Sequence, residues 1–150
     1  MGSGKSSWCR QWISKHDKSI WISRDVVRYS ILAPGEEYFS REQEVLKEFR
    51  KQAQSAIDNE ESSSVLLDAS HLSDKSIAKT LRNLNIQKDV KVINVRLMTP
   101  LKVCLERNAL REGRERVPDD VIKNAYSIFL NSGKIDWVRR RIDDTWEVSI

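Results

Sequence analysis

Apolar positions along the chain switch between helical and strand spacing, and each switch falls at a polar or glycine-containing break. Trp8, Trp12 and Ile13 recur at helical spacing directly after Gly2-Ser3-Gly4-Lys5-Ser6, which predicts a helix that begins at that run. Ile20, Trp21 and Ile22 then form a short strand-like stretch. It ends at Ser23-Arg24-Asp25, where a second, short helical pattern starts, and Ala33-Pro34-Gly35 breaks that pattern. Ser40 and Gln43 have capping-box spacing, and Val45, Leu46, Phe49, Ala53, Ala56 and Ile57 follow as one helical stripe. After polar Ser62–Ser64, Val65-Leu66-Leu67-Asp68 is an apolar run suited to a buried parallel strand. Ile77, Leu81 and Leu84 mark a helix capped by Ser73 or Asp74. Val90 to Leu97 alternates as a strand does. Thr99-Pro100 reads as an N-cap followed by proline at the first helical position. Val117-Pro118-Asp119-Asp120 opens another helix in the same way, and Trp146–Ile150 fits a last strand.

Strands alternating with helices predict an α/β fold of three layers, with a mainly parallel sheet covered on both faces. No internal repeat interrupts the pattern, so residues 1–150 are expected to form one domain, long enough to build a core. An apolar share of 39% beside a charged share of 32% suits long charged helices rather than a disordered tail. No apolar run approaches the roughly 20 residues of a membrane span, and no signal-peptide pattern is visible. Cys9 and Cys104 match no metal or redox spacing and are expected to be reduced core thiols, which points to the cytoplasm. The net charge of +4 is compatible with a polyanionic substrate and identifies none.

Chemistry enters with the first run. Small residues let successive backbone N–H groups converge on phosphate oxygens at a helix N-terminus. A lysine in that position reaches the β- and γ-phosphates of ATP, and the hydroxyl after it ligates Mg²⁺. Those roles fall to Gly2, Ser3, Gly4, Lys5 and Ser6, with Ser7 beside them. A cloning remnant of the Met-Gly-Ser or Gly-Ser-Gly kind is the plain alternative; Lys5-Ser6 and the helix that follows favour a phosphate loop. The full motif also has an earlier glycine, separated from Gly4-Lys5-Ser6 by four residues, and an apolar strand leading into it. Neither is in the sequence, so the first strand is expected to be missing. The natural gene is expected to encode about 8–12 further in-frame residues, rich in Val, Ile and Leu and ending in Gly-x.

Four segments in order carry a family resemblance: Gly2-Ser3-Gly4-Lys5-Ser6-Ser7-Trp8, Ile22-Ser23-Arg24-Asp25-Val26-Val27-Arg28, Leu66-Leu67-Asp68-Ala69-Ser70-His71-Leu72, and Glu106-Arg107-Asn108 through Arg111, Gly113 and Arg114 to Val117-Pro118. Together, from Met1 to about Phe129, they resemble the 5′-hydroxyl polynucleotide kinases of bacteriophages and the P-loop kinases around them.

Asp25 stands where a strand gives way to a helix, the sheet edge at which α/β folds place ligands. The resemblance implies that it is the general base on the attacking hydroxyl, and that Arg28, one helical turn on, holds the acceptor's neighbouring phosphate. An aspartate N-cap beside a solvated arginine is the alternative. Asp68 ends its strand as the second-motif acid of P-loop enzymes does; it either shapes the Mg²⁺ environment or touches the acceptor. His71 is read as structural. Arg107 and Arg111, four apart on one helical face, belong by resemblance to a lid over about 107–117, with Gly113 as a hinge. A salt-bridged surface helix with Glu106, Glu112 and Glu115 is the alternative there. Lys134 and Arg139–Arg141 alternate with Asp136, Asp143 and Asp144, a pattern of solvated charge rather than a nucleic-acid track. The resemblance therefore implies Mg²⁺-dependent transfer of the ATP γ-phosphoryl group to a hydroxyl, with a nucleic-acid 5′ end as the leading acceptor. A small metabolite or an aminoacyl-tRNA is the rival acceptor, and an NTP-binding module without turnover is the rival class.

Overall fold

In the computed structural model residues 1–133 and 141–149 are described, and the chain forms two compact units, Lys5–Ala69 and Met1–Gly4 with Ser70–Ile150. Lys134, Asp136, Arg139 and Arg140 of the basic stretch lie outside the described residues, as does Ile150.

The unit Lys5–Ala69 contains helix α1 (Lys5–Lys15), strand β1 (Ser19–Ser23), helices α2 (Arg24–Ile31) and α3 (Glu42–Asp58), and strand β2 (Ser64–Asp68). The two strands pair in parallel from Ser19 opposite Ser64 to Ser23 opposite Asp68. Their apolar side chains and the inward stripes of α2 and α3 make one core: Ile22, Val27, Val45, Phe49 and Ala56 are buried, with Ile20, Ile31, Val65, Leu67 and Ala69 packed against them. The stripe predicted for α3 is the face that packs, since Val45, Phe49, Ala53 and Ala56 return to one side at helical spacing. Its predicted cap does not form. Ser40 donates its hydroxyl to the carbonyl of Glu37 at 2.7 Å, and Arg41 precedes the helix with no side-chain cap. A serine hydroxyl that finds a backbone partner in a local turn is lost to the helix behind it.

The second unit holds α4 (Asp74–Arg82), β3 (Ile93–Leu97), α5 (Leu101–Ala109), a 3₁₀ turn at Gly113–Glu115, α6 (Asp119–Leu130) and β4 (Asp144–Val148). Strands β3 and β4 pair in parallel from Ile93 opposite Asp144 to Leu97 opposite Val148. Ser73 caps α4 by accepting from the Ser76 N–H at 3.2 Å.

The architecture is mixed α/β with short parallel sheets. As the sequence pattern predicts, the strands pair in parallel; among the described residues they do so as β1 with β2 and β3 with β4. Among the described residues no helix is long and apolar enough to cross a membrane.

Candidate nucleotide and phosphoryl-transfer site

The Gly2-Ser3-Gly4 segment has a conformation that only glycine adopts readily at its two ends. Gly2 has φ +68° and Gly4 φ +91°. Its carbonyls are taken by neighbours in the same unit. The Thr99 hydroxyl donates to the Ser3 carbonyl at 2.7 Å, and Arg107 Nη1 donates to the Gly2 carbonyl at 3.0 Å. A trans peptide sets each N–H opposite the preceding C=O. Those two carbonyls are therefore held on the faces of their peptides opposite the N–H groups of Ser3 and Gly4. Thr99 is thus not the N-cap the sequence pattern predicts. Pro100 takes the cap position without a side-chain bond, and Thr99, buried, serves the loop instead.

In the other unit Lys5 opens α1, and Ser6 and Ser7 follow in its first turn. Ser6 Oγ donates to Asp68 Oδ2 at 3.0 Å, and Trp21 Nε1 donates to the same oxygen at 3.2 Å. Asp68 is buried at the end of β2. Burial first, and then the negative charge of Asp68, push the nearby Cys9 thiol up to about 12, with Lys5 pulling it the other way. A hydroxyl and a carboxylate are hard oxygen donors of the kind Mg²⁺ prefers. No group of three or more His, Cys, Asp or Glu side chains forms a metal cage among the described residues.

Register places Asp25 at the same sheet edge. Ser23 lies opposite Asp68 at the C-terminal ends of β1 and β2, and Asp25 follows two residues later in the first turn of α2. Ser23 caps that helix, accepting from the Val26 N–H at 3.4 Å, so Asp25 is not spent as a cap. Its side chain is 63% exposed, while that of Arg28 is 3% exposed. Arg28 Nη1 donates to Asp25 Oδ1 and to the Tyr38 hydroxyl, both at 2.6 Å. Arg28 Nη2 donates to both carboxylate oxygens of Glu42 at 2.9 Å. The sequence reading has Arg28 holding an acceptor phosphate. The structure gives its terminal N–H groups to Asp25, Tyr38 and Glu42, so a phosphate reaches them only by displacing one of these partners. Tyr38 and Glu42 carry no motif signal; the pattern marks their segment only as a break and a helix start.

A family model described as AAA domain matches residues 1–129. The chain belongs to this AAA-domain family. It is a P-loop NTPase-like family that includes kinases, so the chain is a P-loop domain built for nucleotide binding. No curated protein matches the chain.

The remaining predicted residues of this AAA domain lie around α5. Arg107 is on the helix and reaches the loop carbonyl of Gly2. Helix α5 ends at Ala109, so Arg111 is not on the same helical face, contrary to the spacing argument. Asn108, fully buried, explains the early end. Its amide donates to the Val117 carbonyl at 2.7 Å and accepts from the Val117 N–H at 3.2 Å. This two-way clasp closes residues 109–116 into an exposed loop around the 3₁₀ turn. Asn108 stands in the sequence motif, but this role has no signal there, because its partner is set by the loop's return path and not by any spacing on the helix. His71 pairs with the Thr80 hydroxyl of α4 at 3.0 Å.

Proposed function

We propose that this AAA domain is a kinase that transfers the γ-phosphoryl group of ATP to a hydroxyl acceptor, most specifically the 5′-hydroxyl of a polynucleotide. One observation carries the proposal. The C-terminal edge of the β1–β2 pair presents the buried Asp68, bonded to the Ser6 hydroxyl, and the exposed Asp25, a carboxylate not used as a cap. An exposed carboxylate at the strand ends, beside the Ser6–Asp68 pair, is suited to take a proton from an incoming hydroxyl.

In this reading the N–H groups of Gly2–Ser7 and the Lys5 ammonium hold the triphosphate. Ser6 and Asp68 would hold Mg²⁺, which would neutralise phosphate charge. Asp25 takes the proton of the attacking hydroxyl as that oxygen bonds to the γ-phosphorus. The bond from the γ-phosphorus to the β,γ-bridging oxygen breaks, and ADP leaves with those electrons. Arg28 orients Asp25 and contacts the phosphate next to the acceptor hydroxyl by exchanging a present partner. Arg107 and Arg111 belong to a lid over about 107–117, in which guanidinium groups stabilise charge on the transferring group. In the structure Arg107 Nη1 holds the Gly2 carbonyl, on the face of that peptide opposite its N–H, so in this reading it releases that bond to reach the phosphates.

The test is transfer of labelled γ-phosphate from ATP to a panel of 5′-hydroxyl DNA, 5′-hydroxyl RNA, a tRNA-linked amino acid and small alcohols. Labelling of the oligonucleotides above the other acceptors is expected. Labelling of a small alcohol alone would move the acceptor class, and ATP binding without labelling of any acceptor would overturn the kinase reading.

A further inference from the structure

The loop between α2 and α3 carries a tyrosine whose hydroxyl is committed in both directions. A guanidinium can only donate, so the 2.6 Å contact from Arg28 Nη1 makes the Tyr38 oxygen an acceptor. The one proton of that hydroxyl is then left for Asp25 Oδ1, with which Tyr38 makes a short hydrogen bond. Arg28 itself donates to the same Oδ1. Among the described residues no hydrogen bond or ion pair reaches Asp25 Oδ2. The Tyr38 ring also lies over the Arg28 guanidinium, 4.1 Å from ring centre to carbon, and Glu42 holds the far side of that guanidinium by both oxygens. The tyrosine is therefore fixed by stacking as well as by its hydroxyl.

We infer that Tyr38 is a positioning residue: with Arg28 it tethers Asp25 through Oδ1 and so reserves Oδ2 as the oxygen that takes the acceptor proton. This rests on the reading of Asp25 as the general base. A carboxylate in the first turn of a helix turns freely about its side-chain bonds, and every orientation it samples unproductively lowers the rate. Two donors on one oxygen remove that freedom while leaving the other oxygen open. Burial first, then the hydrogen bond to Asp25 and its charge, hold the phenol well above the usual tyrosine range. Tyr38 thus stays protonated, and keeps donating, at any pH at which the domain would work.

The experiment compares wild type, Tyr38→Phe, Asp25→Asn and the double variant, using ATP and a 5′-hydroxyl oligodeoxynucleotide, with ATP affinity and melting temperature measured on the same samples. Phenylalanine keeps the ring over Arg28 and removes only the hydroxyl. The expected result is a kcat about 10-fold lower for Tyr38→Phe with the KM for ATP unchanged. In the Asp25→Asn background the same substitution is expected to have no further effect, because Tyr38 acts only through Asp25. A Tyr38→Phe variant with wild-type kcat overturns the inference while leaving the base assignment standing. So does a Tyr38→Phe loss that persists undiminished in the Asp25→Asn background. Full kcat in Asp25→Asn alone removes the base assignment, and this inference with it.

Discussion

A Cβ atom on Gly2 would sit 2.6 Å from the carbonyl oxygen of Cys104, a distance at which backbone has to move. Gly2 also has φ +68°, where a side chain is strained whatever the space around it. Gly2→Ala is therefore expected to destabilise the domain by about 2–4 kcal/mol and to weaken ATP binding by displacing the loop. Gly35 is the control, because it has φ +84° but nothing within 4 Å of its Cβ position. Gly35→Ala should cost only the conformational part, about 1–2 kcal/mol, with ATP affinity unchanged. Urea titration and calorimetric ATP binding compare the two. Equal effects on stability and affinity would show that the close pass of Cys104 does not matter.

Lys5→Ala removes the ammonium at the start of α1 and is expected to lower phosphoryl transfer by orders of magnitude, since lost charge stabilisation in the transition state costs several kcal/mol. Ser6→Ala should weaken the Mg²⁺ dependence of ATP binding, because it deletes the hydroxyl bonded to Asp68. Turnover measured against Mg²⁺ concentration decides both. Normal kinase activity in Lys5→Ala would remove it from the site.

Asp25→Asn should lower kcat by about 10²–10⁴ with ATP affinity near wild type. Arg28→Ala is expected to do two things at once. It should raise the acceptor KM, and it should also lower the melting temperature, because Glu42 and Asp25 lose a guanidinium that is 3% exposed. Removing one partner of a buried ion pair costs about 3–5 kcal/mol, at the lower end here because both carboxylates keep contact with solvent. A higher KM with unchanged melting would mean that the network orients groups without supporting the fold.

Asn108→Ala deletes both bonds of the clasp on Val117 from a fully buried site, an expected loss of about 2–3 kcal/mol. Residues 109–116 should then be cut faster by protease, which mass spectrometry of a timed digest reads directly. Arg111→Ala, by contrast, should leave melting unchanged and slow turnover. If instead Arg111→Ala melted low and turned over normally, the lid reading would give way to a structural one.

Cys9 makes a pH prediction. Its thiol ionises at about 12 in the folded domain against 9.0 for an ordinary cysteine, chiefly through burial. The folded state therefore keeps its proton while the unfolded state gives it up, so stability is unaffected below about pH 9 and declines between there and about pH 12. Cys9→Ala should flatten that part of the stability curve. At pH 8 alkylation of Cys9 in the folded protein should run about 10³-fold slower than that of a free thiol. Rapid alkylation without prior unfolding would contradict the buried, neutral thiol.

How much of this protein is legible in its sequence depends on whether the deciding interaction is local. The helix at Lys5, the stripe Val45–Phe49–Ala53–Ala56 and the parallel strand ending in Asp68 all follow from apolar periodicity, which reports how neighbouring residues must face a core. The same pattern placed Asp25 at a strand end. The partners of polar side chains were not legible, because a hydroxyl or guanidinium bonds to whatever the fold brings within about 3 Å. Thr99 has the spacing of a cap and instead holds the Ser3 carbonyl, 96 residues away in sequence. Ser40 has capping-box spacing and is used by a turn. Arg107 and Arg111 share a helical period, yet the bonds from Asn108 to Val117 belong to a loop that leaves the helix before Arg111. Sequence alone determined most of the helices and strands and nominated residues for chemistry. Tertiary structure decided that Tyr38 and Glu42 join Asp25 and Arg28, because contacts 13 and 14 residues apart through a loop are set by its path and not by periodicity.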